Sequence, residues 1–419
     1  MSILNIDKWL KKKKKTSFLN NKIIALENIK NWKITDLSID HDRKKFFSIK
    51  PFFLSSNVKK LNNTYTPLII QKEVGILGII KRKINGNDEY LLQAKIEPGN
   101  INKIQLSPTV QATKSNYTKV HGGKATNYIN FFLKKKFKIL SKFKLAEQGT
   151  RYLTKKNFNY LIDSCNYKIE VKNNYKWIKK KELVQLSKRD NLLNMDTFSI
   201  ISCSIKKVKE NKTILTFHKI ISKYKEFNKK YFIVRKIIFF KDLKNWTINR
   251  YKIFDNEFKY FSIIGLKIIT NCREISKWCQ PIFKDHFKTF NGILVCKKFG
   301  TSHYLLKLTL EPGFTKARFT STVLIKNFNK TKTYNSERYF YFFKKKEGIM
   351  LNKKSSDEGG RFYKNEVHNI VCSIKKYNTI YNKNYLWISH NQINELIKKD
   401  MLTLEARNLF GYYNIEKLK

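Results

Sequence analysis

The chain has 419 residues, a formal charge of +54 at pH 7, 42% hydrophobic and 14% aromatic side chains. Its length suggests about two to four domains, and its apolar content excludes a disordered chain. The charge invites a nucleic-acid reading, but lysines run along nearly the whole chain instead of clustering on one element, and arginine, the residue suited to bidentate phosphate contacts, is scarce.

Lysine, asparagine, isoleucine, phenylalanine and tyrosine all use A/T-rich codons, so genomic drift accounts for the profile. What remains is weak, salt-sensitive attraction to polyanions, without sequence specificity. At the N-terminus "LNIDKWL" is broken by charge and followed by lysines 11–15, which is unlike a signal peptide. The most apolar tract, "YFIVRKIIFF" at 231–240, is too short and too charged to span a membrane. The six cysteines form no C-x-x-C pair. A reduced cytoplasmic protein is expected.

Further along, "EVGILGIIKRK" at 73–83 reads as an apolar strand. Asn85 and Gly86 supply the positive φ of a tight hairpin turn. "YLLQAKI" returns as the partner, with Leu91, Gln93 and Lys95 on one face and Leu92, Ala94 and Ile96 on the other. "EPGN" then turns the chain, placing the Glu97 carboxylate at a strand-to-loop corner. From Gln105 to Gly123 the vocabulary changes to glutamine, serine, threonine, asparagine, tyrosine and histidine. Such side chains suit hydrogen bonding to a sugar and a pyrimidine. His121 is followed by two glycines, which permit close backbone approach.

The same order of words then recurs at an offset of about 210–217 residues. "NW" at 31 returns at 245, "FSI" at 47 at 261, "GIL" at 75 at 292, "YLL" at 90 at 304 and "EPG" at 97 at 311. "EQGTRY" from Glu147 answers "DEGGRFY" from Asp357, and Trp177 answers Trp387. The chain therefore reads as two tandem copies of one α+β domain, spanning 1–220 and 221–419. Each is a hairpin-rich sheet with a late helix. The second such helix carries a capping box, Ser389 with Gln392, and a stripe of Ile393, Leu396 and Ile397.

Among catalytic motifs, the P-loop, the G-x-G-x-x-G turn, H-E-x-x-H and G-x-S-x-G are all missing, and the seven histidines are scattered. No metal site is expected from spacing. The long stretch "QAKIEPGNINKIQLSPTVQATKSNYT", with "EQG" at 147–149, "DNLLNMD" at 190–196, "NCREISKWCQP" at 271–281, "LEPGF" at 310–314 and "EGGRFY" at 358–363, resembles the NDP-hexose 2,3-dehydratases of deoxysugar biosynthesis.

That resemblance implies two Nudix-like domains that do not hydrolyse nucleotides, in keeping with the missing R-E-x-x-E-E-x-G box. It implies a dTDP-4-keto-6-deoxyhexose substrate, loss of water across C2–C3, tautomerisation to a 3,4-diketo sugar, and a downstream NDP-sugar 3-ketoreductase. A homodimer is a family expectation. The C4 ketone acidifies the C3 proton, so a base, a donor for the departing hydroxyl and a donor at the C4 oxygen suffice, with no cofactor required. Glu97 or Glu147 is the expected base and Tyr117 or His121 the donor, with Lys95 or Gln111 near the enolate. Lys114, Tyr117, His121 and Arg151 are the expected diphosphate contacts. Gln93, Gln105, Ser107, Thr109, Gln111, Thr113 and Asn116 complete the substrate-binding set.

In the second copy Ser321 replaces Pro108 and Leu324 replaces Gln111, so chemistry is expected in the first copy. The second then serves as scaffold or holds a weakened nucleotide-sugar site. The competing readings are a basic nucleic-acid-binding module, a family member that has lost turnover, and a Nudix hydrolase.

Overall fold

The computed structural model describes residues 3–44, 46–118, 125–134, 137–165, 167–273, 275–326, 339–345, 347–375 and 383–416. The fold is mixed α+β. In the first copy the order is α1 (Ile3–Thr16), β1 (Leu19–Ile24), β2 (Trp32–Ile34), β3 (Ile39–His41), β4 (Ser48–Ser56), β5 (Thr64–Ile70), β6 (Gly75–Ile84), β7 (Asn87–Lys95), β8 (Gln105–Ser107) and β9 (Val110–Ala112). Then come α2 (Lys114–Tyr117), α3 (Asn130–Leu133), β10 (Lys138–Ala146), β11 (Lys156–Asp163), β12 (Tyr175–Lys179), α4 (Lys180–Ser187) and α5 (Met195–Ser202).

The second copy repeats this. It runs α6 (Phe217–Lys230), β13 (Ile233–Ile237), β14 (Trp246–Ile248), β15 (Lys252–Asp255), β16 (Phe261–Thr270), β17 (Lys277–Asp285), β18 (Thr289–Lys298), β19 (Thr301–Thr309), β20 (Arg318–Thr320) and β21 (Val323–Ile325). It ends with α7 (Phe340–Lys344), β22 (Ile349–Ser356), β23 (Glu366–Ser373), β24 (Tyr385–Ser389), α8 (His390–Lys398) and α9 (Leu404–Glu416). The first element of the second copy starts at Phe217, so a cut at 220 falls inside α6.

Each copy builds a seven-stranded sheet. In the first the order is β10-β11-β6-β7-β12, with β8 on β7 and β9 on β6; the second matches it as β22-β23-β18-β19-β24, with β20 on β19 and β21 on β18. The β6–β11 and β18–β23 pairs are parallel, inside otherwise antiparallel sheets. The first six residues of β6, Gly75 to Ile80, are an apolar run because both their faces are covered. Ile76 and Ile80 enter a core private to the first copy, while Leu77 and Ile79 enter a core shared by both copies. Leu91 and Leu92 split between those cores in the same way. Asn85 (φ 46°) and Gly86 (φ 76°) make the β6–β7 turn, and both arms of the capping box are present on α8. No described helix is long and apolar enough to cross a membrane.

The two copies exchange a strand. β1 of the first pairs with β16 of the second, from Leu19↔Thr270 to Ile24↔Gly265. β13 of the second pairs with β4 of the first, from Ile233↔Ser56 to Ile237↔Phe52. A second reciprocal contact joins the "EPG" corners to the loops after β10 and β22. The Gly99 amide donates to the Gly359 carbonyl (2.7 Å) and Gly99 accepts from Lys364 (2.8 Å). Gly313 donates to Gly149 (2.6 Å) and accepts from Thr154 (2.9 Å). The shared core is closed by α5 and α9, where Phe198 and Tyr412 stack at 3.6 Å. The halves are thus interlocked, and a site at the "EPG" corner draws residues from both.

Candidate active site

A cavity of about 450 Å³ lies at the first copy's "EPG" corner. Its deep end is built by four pieces of the first copy. β7 and its corner bring Lys95 and Glu97, and β9 with the following turn brings Gln111, Thr113 and Asn116. The segment from the end of β10 into the start of β11 brings Glu147, Lys155 and Asn157, and the first turn of α5 brings Asp196. The second copy closes it with Glu358 and Arg361 from the loop after β22, and with Arg273 and β17 residues 277–280. The mouth is aromatic and basic. Trp32 meets His41 edge-on at 5.3 Å and Phe47 at 4.8 Å, beside Arg43, Lys277 and Trp278. The Trp32 indole donates to the Cys279 carbonyl (2.9 Å), tying the first copy's small sheet to β17.

The buried charges inside differ in their proton affinity. Burial opposes the Glu97 carboxylate, but Lys95 at 2.9 Å, Arg273 at 3.5 Å and Arg361 outweigh it and hold its pKa below the usual range. Burial raises Glu147, against the opposing effects of Arg407, a 2.6 Å hydrogen bond from Asn157 and Lys155. Burial raises Asp196 well above a normal carboxyl, reinforced by Glu147, Glu358 and Glu97. Burial lowers Lys155 to about 8. One cavity therefore holds a fixed anion, a carboxylate of raised basicity, a carboxyl kept neutral and a lysine close to giving up its proton. Groups pushed apart in this way are a mark of acid–base chemistry.

The model of the NDP-hexose 2,3-dehydratase family matches residues 4–204 and 217–412. The chain belongs to that family. It is 26% identical to a dTDP-4-dehydro-6-deoxy-alpha-D-glucopyranose 2,3-dehydratase of Saccharopolyspora spinosa, over 94% of this chain and 87% of the relative. It is 27% identical to the enzyme of that name in Streptomyces violaceoruber, over 92% and 91%. A third of that name, from Amycolatopsis orientalis, is 30% identical over 59% and 53%.

For this family member, the residues singled out in the sequence fall in different places. Lys95, Glu97, Gln111, Thr113, Asn116 and Glu147 line the cavity. Others lie behind it. Gln105 donates to Ser356, the Ser107 hydroxyl accepts from Asn194 (3.0 Å), and the Thr109 hydroxyl donates to Leu91 and accepts from the Ile80 amide. Asn194 also donates to Gln111 (3.1 Å) and caps α5, so this polar lattice fixes the wall rather than forming it. Gln93 is in the β7 ladder, Lys114 is exposed and Tyr117 packs against the first copy's private core, all outside the lining. Arg151 is a correction of another kind. It is the counterpart of Arg361 and points into the second copy, pairing with Asp285 at 2.7 Å over the Phe261 ring. His121 lies outside the described residues.

The sequence reading missed Lys155, Asp196, Arg273, Glu358 and Arg361. Asp196 and Glu358 stood within quoted family words, but nothing local marks them as facing Glu97 and Glu147. The pseudo-symmetric position in the second copy is filled by side chains. Lys326 stands where the first copy has Thr113, and it pairs at 2.8 Å with Glu405, the counterpart of Asp196. Arg318 pairs with Asp400 (2.8 Å) nearby. Glu311, the counterpart of Glu97, has no lysine two residues before it; burial and Glu405 raise its pKa to about 8. A carboxyl raised on folding contributes stability below its unfolded pKa of 4.5, and that stability is lost as pH rises through the folded value. Glu311→Gln is therefore expected to raise the melting temperature at pH 8 and to change it little at pH 4, with turnover retained; differential scanning fluorimetry across that range measures it.

Proposed function

We propose that the protein removes water across C2–C3 of a dTDP-4-keto-6-deoxyhexose, giving the 3,4-diketo-2,6-dideoxy sugar nucleotide. The observation that carries this is the deep end of the cavity, where Glu147, Asp196 and Lys155 surround one space, the two carboxyls raised and the lysine lowered from their ordinary values by burial. The names of the three relatives supply the substrate class.

Glu147 takes the C3 proton. Glu97 is passed over for that role because its two ion pairs hold it as a weak base. The neutral Asp196 carboxyl and Lys155 donate to the C4 oxygen as charge develops on it. Trp32, His41 and Phe46 suit a stacked pyrimidine, and Arg43, Arg273 and Lys277 suit a diphosphate at the mouth. The parallel pair within each seven-stranded sheet supports a Nudix-like reading of the halves. A homodimer, a cytoplasmic setting and transfer of the labile diketo product to an NDP-sugar 3-ketoreductase complete the proposal.

The test is incubation with dTDP-4-keto-6-deoxyglucose in deuterated buffer, with and without a 3-ketoreductase. Loss of one water and deuterium at C2 are expected. Unchanged substrate with no exchange at C3 overturns the reading.

A further inference from the structure

We propose that Glu358, carried by the second copy, is the acid that protonates the departing C2 hydroxyl. The inference rests on the dehydratase reading and adds to it a catalytic residue from the half expected to be scaffold. Glu358 lies in the loop after β22 and lines the cavity. Its neighbour Gly359 is clasped by Gly99, and a Cβ at Gly359 would stand 3.0 Å from the Cβ of Glu97, so the loop is set directly against the "EPG" corner. Glu97 is committed to Lys95 and Arg273, and Glu147 to Asn157. The Glu358 carboxyl makes no hydrogen bond or ion pair among the described residues. With Asp196, already placed at the C4 oxygen, it is one of two deep carboxyls left to meet a ligand.

The counterpart in the first copy is Gln148, which donates to Asp357 at 2.8 Å and has no proton to give as an acid. A carboxyl therefore occurs at this position only where it faces the open cavity. Burial and Glu97 raise its pKa to about 7, against Arg361 and Lys95, with Glu147 raising it further. A group that titrates near neutrality can give its proton and recover it within a cycle, whereas burial pushes Asp196 well above the ordinary carboxyl range.

The steps balance. Glu147 takes the C3 proton and the bonding pair enters the C3–C4 enolate. As the C4 carbonyl re-forms, the pair makes the C2–C3 double bond and the C2–O bond breaks. The Glu358 proton joins the leaving oxygen as water. In tautomerisation the C3 enol proton passes to the Glu358 carboxylate, and the proton on Glu147, after exchange with solvent, passes to C2. Both carboxyls end as they began.

The experiment compares wild type with Glu358→Gln, reading water loss and the wash-out of deuterium from C3-labelled substrate separately, with dTDP affinity measured by calorimetry. Dehydration is expected to fall about 100-fold or more while wash-out stays within about fivefold, because the base is intact. Glu358→Asp, which keeps an acid at the position and guards against misfolding, is expected to recover at least about tenfold. Dehydration within about fivefold of wild type, or joint loss of dehydration and wash-out in a variant that binds dTDP normally, overturns the proposal. Absence of dehydration by the wild type would instead remove the reading beneath it.

Discussion

Glu147→Gln is expected to lower kcat by about 10³-fold or more, with dTDP affinity within about threefold of wild type. The substitution removes the one group placed to take the C3 proton and changes little else. Asn157 Nδ2 donates to Glu147 Oε1 at 2.6 Å, and an amide oxygen accepts that bond as well. The Glu147 amide still donates to the Lys155 carbonyl (2.9 Å), so the backbone has no reason to move. Burial already disfavours charge here, so a neutral isostere should hold or raise the melting temperature. Higher stability with lost turnover is the pattern expected of a strained catalytic group. Deuterium wash-out from C3 should vanish along with dehydration, which separates this variant from Glu358→Gln. Retention of either activity would remove Glu147 from the role of base.

The comparison with Glu97 shows how magnitudes choose between two buried carboxylates. Both are almost fully covered, at 3% and 8% exposure. Desolvation acts on each in the same direction. Only Glu97 gains a direct lysine contact at 2.9 Å and an arginine at 3.5 Å, and those contacts reverse the shift. Removing one partner of such a buried pair commonly costs about 3–5 kcal/mol. Glu97 is thus suited to hold Lys95 and Arg273 at the cavity wall.

How much of this could be read from the chain depends on how local each signal is. The β6–β7 hairpin was legible because Asn85 and Gly86 adopt backbone angles that few other pairs accept. The α8 cap was legible because Ser389 and Gln392 satisfy each other within four residues. The duplication was legible because the words recur in order. The strand exchange was not. β1 and β13 occupy equivalent places, and nothing in their own residues says whether each pairs within its copy or across. Arg151 was placed among the diphosphate contacts for the same reason: a loop that crosses between copies carries its arginine with it, here to Asp285. Gln105, Ser107 and Thr109 looked like ligand contacts because polarity in a loop reads the same whether it faces a sugar or supports the wall behind one.

Gly99→Ala is expected to destabilise the protein by about 3 kcal/mol and to lower kcat by about 100-fold. A Cβ on Gly99 would fall 1.7 Å from the Phe362 carbonyl oxygen and 2.8 Å from that of Gly359. Both are backbone atoms, so no rotamer change relieves the overlap, and the corner must part from the 359–362 loop. That severs the Gly99–Gly359 and Lys364–Gly99 hydrogen bonds, the backbone clasp between the two halves at the "EPG" corner. Glu358 and Arg361 move with the loop, and Glu97 moves with the corner. A displacement of about 1 Å at a reacting geometry is enough for a loss of this size. The control is Gly86→Ala, where a Cβ meets nothing within 4 Å and only the positive φ is strained, at a cost of about 1 kcal/mol without effect on turnover. Thermal melts and steady-state rates on the two variants make the measurement. If Gly99→Ala melts and turns over like Gly86→Ala, the second copy's loop is not a working wall of the site. If the loss follows the clasp, the duplicated chain cannot act as one catalytic half and one spare: the exchange of loops is what assembles the centre.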